Sequence, residues 1–262
     1  MKTINFFYTA LLLLCASINA EIIETCNFHE VQNYIKEDTL VVLDIDFTIM
    51  ETSQELGNDQ WFYSRIQHYI SEGLSIDESL SKTLPEWMAI QHVTGVKLVE
   101  DDIAKLIQDM QEQEIPVIGL TTRCLNLSLL TCNQLKSLDV DLSKTAINDE
   151  DIFFKNGANV LYTNGIIFTE ASHKGKALFG LLSRSNYKPE HILFVNDKHS
   201  HILPVEETCL EKNIPFTGLR YSYIDEKRNN FRHELADIQY EDFWKILSNK
   251  EAEEVLLERE TM

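Results

Sequence analysis

The chain of 262 residues is 44% hydrophobic and 25% charged, a globular composition with enough apolar side chains for one core and an inserted subdomain. A formal net charge of -19 argues against nucleic acid or anionic lipid as a general partner. It also repels phosphorylated substrates, so any phosphate site needs local positive charge or a bound cation.

The first twenty residues, MKTINFFYTALLLLCASINA, hold one Lys, an apolar run and a small-residue end at Ala20, with no acid before Glu21. They read as a secretory signal peptide, residues 1–20, followed by a mature chain, 21–262, that is secreted or periplasmic. The apolar run is short for a membrane span, and no later segment reaches spanning length. Leu14 before Cys15 argues against a lipoprotein. Cys26, Cys124, Cys132 and Cys209 remain. Export permits disulfides, but the spacing does not choose among pairings, and free thiols are the plain reading. Cys124 and Cys132 would share a helix at a spacing too long to bridge.

Val41–Leu43 begin an apolar strand, 41–46, that runs into Asp44 and Asp46. Residues 51–98 read as a helical insertion, in which WFYSRIQHYI and LPEWMAIQHV have helical spacing and Pro85 starts the second piece. Ile103, Leu106, Ile107 and Met110 mark an amphipathic helix that Pro116 ends. VIGLTTR is a short buried strand entering a polar turn, and LNLSLLTCNQLKSL a helix. VLYTNGIIFTE is a hairpin around Asn164-Gly165, HKGKALFGLLSRS a helix, HILFVNDKHSH a strand ending in an acid, and PFTGLRYSY a last strand. The remainder is helical and acidic at its end. Strands alternating with helices predict an α/β fold with a mainly parallel sheet.

Three apolar runs end in polar residues: Leu43 before Asp44, Leu120 before Thr121, and Val195 before Asn196-Asp197. In open α/β sheets ligands bind beyond the carboxyl ends of the strands, so these endings can converge on one crevice. Lys174, opening a helix, supplies a cation.

DIDFTI, VIGLTT, the Lys174 segment and ILFVNDK resemble, in order, the four motifs of the haloacid dehalogenase (HAD) superfamily of phosphohydrolases. The exported chain and VVLDIDFTI are similar to secreted acid phosphatases of that superfamily, and the insertion and layout to the DUF2608 family. The resemblance implies a Rossmann-like three-layer sandwich with a helical cap at about 51–98. It implies a Mg²⁺-dependent phosphatase acting on a small phosphate ester. Asp44 would be the nucleophile and Asp46 the acid and base. Thr121 would bind a phosphoryl oxygen and Lys174 neutralise charge. Asp44, Asp197 and the backbone carbonyl of Asp46 would hold the metal.

Asn196 and His201 depart from the pattern, since the fourth motif often carries a second acid. Lys176 competes with Lys174, and Thr122 with Thr121, which directly ends the apolar run. Arg123 reads as a surface residue at a helix start, and Trp61, Phe62, Tyr63 and Trp87 as packing within the insertion. His173, His199 and His201 lack a ligand spacing. The alternatives are an inactive HAD-like protein exported to bind a partner, for which the acidic tail would be available, and another HAD reaction.

Overall fold

The structure is a computed structural model that describes residues 19–241 and 246–261. The expected signal peptide therefore lies almost wholly outside the described residues.

An eight-stranded sheet has the order β1-β10-β9-β2-β5-β8-β7-β6. Its strands are β1 (Ala20–Thr25), β2 (Thr39–Leu43), β5 (Val117–Thr121), β6 (Ile152–Asn156), β7 (Ala158–Thr163), β8 (Ile166–Phe168), β9 (His191–Asn196) and β10 (Phe216–Tyr221). Pairing is parallel from β1 across to β8, and antiparallel only at the β8–β7 and β7–β6 edge. The expected mainly parallel α/β fold is thus observed.

Every residue of β2, β5 and β9 is buried, as sheet strands covered on both faces require. Alternation along β2 divides the core. Val41 and Leu43 face α3 (Ile103–Glu112) and α4 (Ser128–Lys136), while Leu40 and Val42 face α5 (Lys174–Arg184) and α6 (His199–Lys212). This makes three layers.

Asn164 and Gly165 both have positive φ in the β7–β8 hairpin. At Gly165 a Cβ would lie 2.1 Å from the carbonyl oxygen of Leu142, so the turn is closed to any side chain there.

Between β2 and β5 the chain leaves the sheet. A two-stranded antiparallel ribbon, β3 (Met50–Thr52) with β4 (Val96–Leu98), brackets α1 (Asp59–Ser71) and α2 (Ile76–Gln91). α2 starts at a Ser75/Glu78 capping box, nine residues before Pro85, which sits inside the helix and does not begin it. The cap interactions and helix packing override the local signal of the proline. The pair is roofed by α8 (His233–Glu241), whose Ala236 joins Leu56, Trp61 and Ile90 in a small core.

The acidic tail is not free. α9 (Asn249–Glu260) packs Ala252, Val255 and Leu256 on α8 and pairs Arg259 with Glu241. The edge strand β1, which periodicity did not reveal, holds Glu21–Thr25 beside β10. Cys26, Cys124, Cys132 and Cys209 are free thiols, and Cys124 lies before α4 rather than on it.

Candidate active site

β2 ends at Leu43, and the following turn decides where the two aspartates go. Phe47 adopts φ +61°, a left-handed conformation that disfavours a bulky side chain by roughly 1–2 kcal/mol. Its amide donates to Met50 O at 2.8 Å, and the Met50 amide donates to Ile45 O at 3.1 Å. The turn keeps Asp44 and Asp46 at one cavity of about 540 Å³, which Asp197 and Lys174 also line.

Asp44 is buried, and its partners come from three elements. Lys174 Nζ lies 2.9 Å from Oδ1, the Ile45 amide donates to Oδ1 at 3.0 Å, and Asn196 Nδ2 donates to Oδ2 at 2.8 Å. Burial pushes the Asp44 carboxyl above its ordinary range, with Lys174 opposing. Lys174 is itself buried at the first position of α5, whereas Lys176 is exposed. His173 caps that helix by accepting from the Lys176 amide at 3.3 Å. Gly175 brings α5 against α6: a Cβ there would sit 2.2 Å from Pro204 O. Lys174 is thereby set at a close helix crossing.

Asp46 meets a residue expected at the surface. Arg123 is 3% exposed, and all five of its N–H donors are used. Nε and Nη2 hold the two Asp46 oxygens at 2.8 and 2.7 Å, Nη1 donates to Thr131 and Gln134 at 3.0 and 2.7 Å, and Nη2 also reaches Gln91 at 3.2 Å. Gln91 is the last residue of α2, so the same guanidinium ties Asp46 to the insertion. A charged residue two positions beyond a buried strand, the position Arg123 shares with no helix, was the available signal.

Thr121 and Thr122 lie differently. Thr121 is buried, its Oγ1 accepts from the Arg123 amide at 3.1 Å, and Thr122, one step further, lines the cavity instead. Side-chain alternation at the strand end turns Thr122 towards the cavity and Thr121 away from it.

Asp197 follows β9 and is 1% exposed. Burial, then the charge of Asp44, push it up to about 6 against the pull of Lys198 and Arg228. Arg228, from α7 (Asp225–Asn229), is ion-paired with its Oδ2. Nothing local in DEKRN marks that arginine. Lys198 pairs with Asp59 at the start of α1; burial pulls its ammonium down, but Asp59 and Asp197 outweigh this and hold it above its ordinary value. Asn196, at the end of β9, serves as a donor to Asp44. His201 lines the cavity, and burial, Lys174 and Lys198 push it down to about 3, so the imidazole is neutral.

The donors suit a hard divalent cation. Asp44 and Asp197 offer carboxylates, and the turn directs its own hydrogen bonds to the carbonyls of Ile45 and Met50 rather than that of Asp46. The charge of Asp44, which adds to the effect of burial in raising Asp197, would be offset by a cation between the two acids. Among the described residues no group of three His, Cys, Asp or Glu side chains gathers for a metal. That set fits Mg²⁺, which binds through one or two carboxylates and keeps several waters.

A family model described as Protein of unknown function (DUF2608) matches residues 24–253. A Chlamydia muridarum protein, named for the outer membrane, is 29% identical over 260 residues, 97% of this chain and 98% of its own. A Chlamydia pneumoniae protein with the same kind of name is 29% identical over 257 residues, 96% of each chain. A Rickettsia prowazekii protein is 24% identical over 260 residues, 93% of each. A solved haloacid dehalogenase-like hydrolase from Streptococcus pneumoniae aligns with 74% of this chain and 98% of its own, at a TM-score of 0.44 and 15% identity. Among the described residues no helix is long and apolar enough to cross a membrane.

Proposed function

The chain belongs to the DUF2608 family, and we propose that it is an exported Mg²⁺-dependent phosphatase that hydrolyses phosphate monoesters through an aspartyl-phosphate on Asp44. The observation that carries this reading is Asp44 itself: a buried carboxylate at a central strand end, 2.9 Å from a buried lysine, opening on a cavity that also holds Asp46 and Asp197. The leader MKTINFFYTALLLLCASINA supports export.

Asp44 attacks phosphorus, forming the Asp44–phosphorus bond as the ester P–O bond breaks. Asp46 gives its proton to the departing alkoxide, then takes one from the water that cleaves the acyl phosphate, returning Asp44 and inorganic phosphate. Arg123 fixes the plane of the Asp46 carboxylate and leaves two of its four acceptor sites for this transfer. Lys174 balances charge on Asp44 and the phosphoryl group, while Lys198 and Thr122 are within the same cavity to meet phosphoryl oxygens. Mg²⁺, held by Asp44, Asp197 and the Asp46 carbonyl, would supply charge neutralisation on the transferring group.

A second reading, binding of a phosphate compound without turnover, is favoured by the arginines already paired with Asp46 and Asp197. Release of phosphate from p-nitrophenyl phosphate with Mg²⁺ separates the two. Turnover is expected from the wild type, with loss of nearly all of it in Asp44→Asn. The deficit of Asp46→Asn should be about 100- to 10,000-fold on an unactivated alkyl ester and smaller in the first turnover of the nitrophenyl ester. Wild-type rates from Asp44→Asn would reject the mechanism; binding of phosphate with no turnover by any ester would favour the second reading.

A further inference from the structure

α2 carries its apolar stripe on an unexpected side. The side chains it buries are Ser79, Thr83, Ile90 and Gln91, mostly small or polar. Leu80, Leu84 and Trp87, spaced i, i+4, i+7 on one face, line the active-site cavity, and the two leucines are 42% and 40% exposed. Leu80 and Leu84 are not spent on a core, and exposed apolar side chains that overlook a polar site are a candidate ligand surface.

The rest of that wall is also apolar. Trp87 donates its one polar hydrogen to Gly57 O at 3.0 Å, packs partly against the core of Leu56, Trp61 and Ile90, and still lines the cavity. Phe62 of α1 stands edge-on to Trp87 with centroids 6.1 Å apart, and Tyr63 continues the aromatic run at 5.8 Å from Phe62. Asp44 and Asp197 at the strand ends and Lys174 at the start of α5 line the same cavity, and Lys198 lies between them and α1, paired with Asp59 and 5.8 Å from the Tyr63 ring centroid. The apolar side chains of the lining thus gather on α1 and α2, above the acids and lysine of the strand ends, and the 540 Å³ falls in the range of sites for ligands of drug size.

From this division we infer the substrate class: a phosphate monoester of an apolar alcohol, alkyl or aryl, with phosphate on the Asp44 floor and its carbon chain under α2. The inference rests on the phosphatase reading and narrows it. Sugar or polyol phosphates fit less well, because hydroxyls set against Leu80, Leu84 and Phe62 would lose water there.

Calorimetric titration of the Mg²⁺-loaded full chain with octylphosphonate (below its micelle concentration), methylphosphonate and octanol tests this without requiring turnover. Octylphosphonate should bind at least tenfold more tightly than methylphosphonate, as even a partly buried alkyl chain implies at roughly threefold to fourfold per methylene. The double variant Leu80→Ser/Leu84→Ser should lose most of that difference and bind methylphosphonate as the wild type does. Both leucines are well exposed, so the variant should melt with the wild type; a matching melting curve makes its binding result decisive. Equal affinity for the two phosphonates, or an unchanged preference in the variant, overturns the apolar class and leaves the phosphatase reading standing. Octylphosphonate binding no tighter than octanol, with no binding of methylphosphonate, overturns the inference together with the phosphate site. Failure of all three compounds to bind overturns it as well.

Discussion

Arg123 grips both carboxylate oxygens of Asp46, at 2.8 and 2.7 Å, and its other donors run to Thr131, Gln134 and Gln91. The arginine is buried, while the Asp46 side chain is 30% exposed towards the cavity. The pair thus joins three parts of the molecule: the turn after β2, the helix α4, and the end of the inserted α2. A fully satisfied network of this kind orients the Asp46 carboxylate and couples it to the insertion that roofs the cavity.

Arg123→Met leaves Asp46 and two buried amide side chains without their donor. Leaving buried acceptors unsatisfied is expected to lower stability by roughly 1–3 kcal/mol. Chemical denaturation should show this as a shifted midpoint. Arg123→Lys should recover little, because an ammonium cannot span both Asp46 oxygens and the three further acceptors. A midpoint unchanged in both variants would contradict the network.

Mg²⁺ should stabilise the protein through Asp44 and Asp197. At a free concentration tenfold above the dissociation constant, the gain is about 1.4 kcal/mol. Thermal melts with and without EDTA read it directly. Asp197→Asn should abolish the metal-dependent part. Equal metal-induced shifts in wild type and variant would move the metal elsewhere.

Gly175→Ala forces a methyl group to 2.2 Å from the Pro204 carbonyl oxygen and 2.3 Å from Thr208 Oγ1. Helices α5 and α6 must separate, at about 1–3 kcal/mol for an overpacked site. Lys174, the adjacent residue, moves with its helix. Reduced melting temperature and reduced turnover are expected together; a wild-type melt would show that the crossing relaxes without difficulty.

His191 gives an acid-sensitive element remote from the reaction. Its Nδ1 meets Thr39 Oγ1 at 2.9 Å and its Nε2 meets Thr217 Oγ1 at 3.1 Å, both buried. Burial, assisted by Lys36, pushes the imidazole down to about 4 from its ordinary 6.5. The unfolded chain therefore binds the extra proton between these values, and stability falls as pH drops from 6.5 towards 4, by up to about 3 kcal/mol. Above 6.5 the group contributes no slope. His191→Gln should flatten this window relative to wild type, measured by denaturation at several pH values; parallel pH profiles would assign the acid sensitivity to other groups.

Local pattern was enough for much of the scaffold. The apolar runs of β2, β5, β9 and β10, the Asn164-Gly165 turn and the stripe of α3 are set by short-range periodicity and turn chemistry, which act within a few residues. The order of the strand-end motifs likewise brought Asp44, Asp46, Lys174 and Asp197 into view as one group, because a parallel sheet gathers its carboxyl ends at one edge. What the tertiary structure alone decided are the partners supplied from afar. Arg228 reaches Asp197 across 31 residues and Arg123 reaches Asp46 across 77, and neither charge has a local reason to be buried. Pro85 sits within α2 because capping and packing outweigh one missing amide, and Thr122 rather than Thr121 faces the cavity because the strand ends one residue later in space than its apolar run suggests. Pairing energies of buried charges depend on geometry and desolvation, which a linear pattern of residue types does not contain.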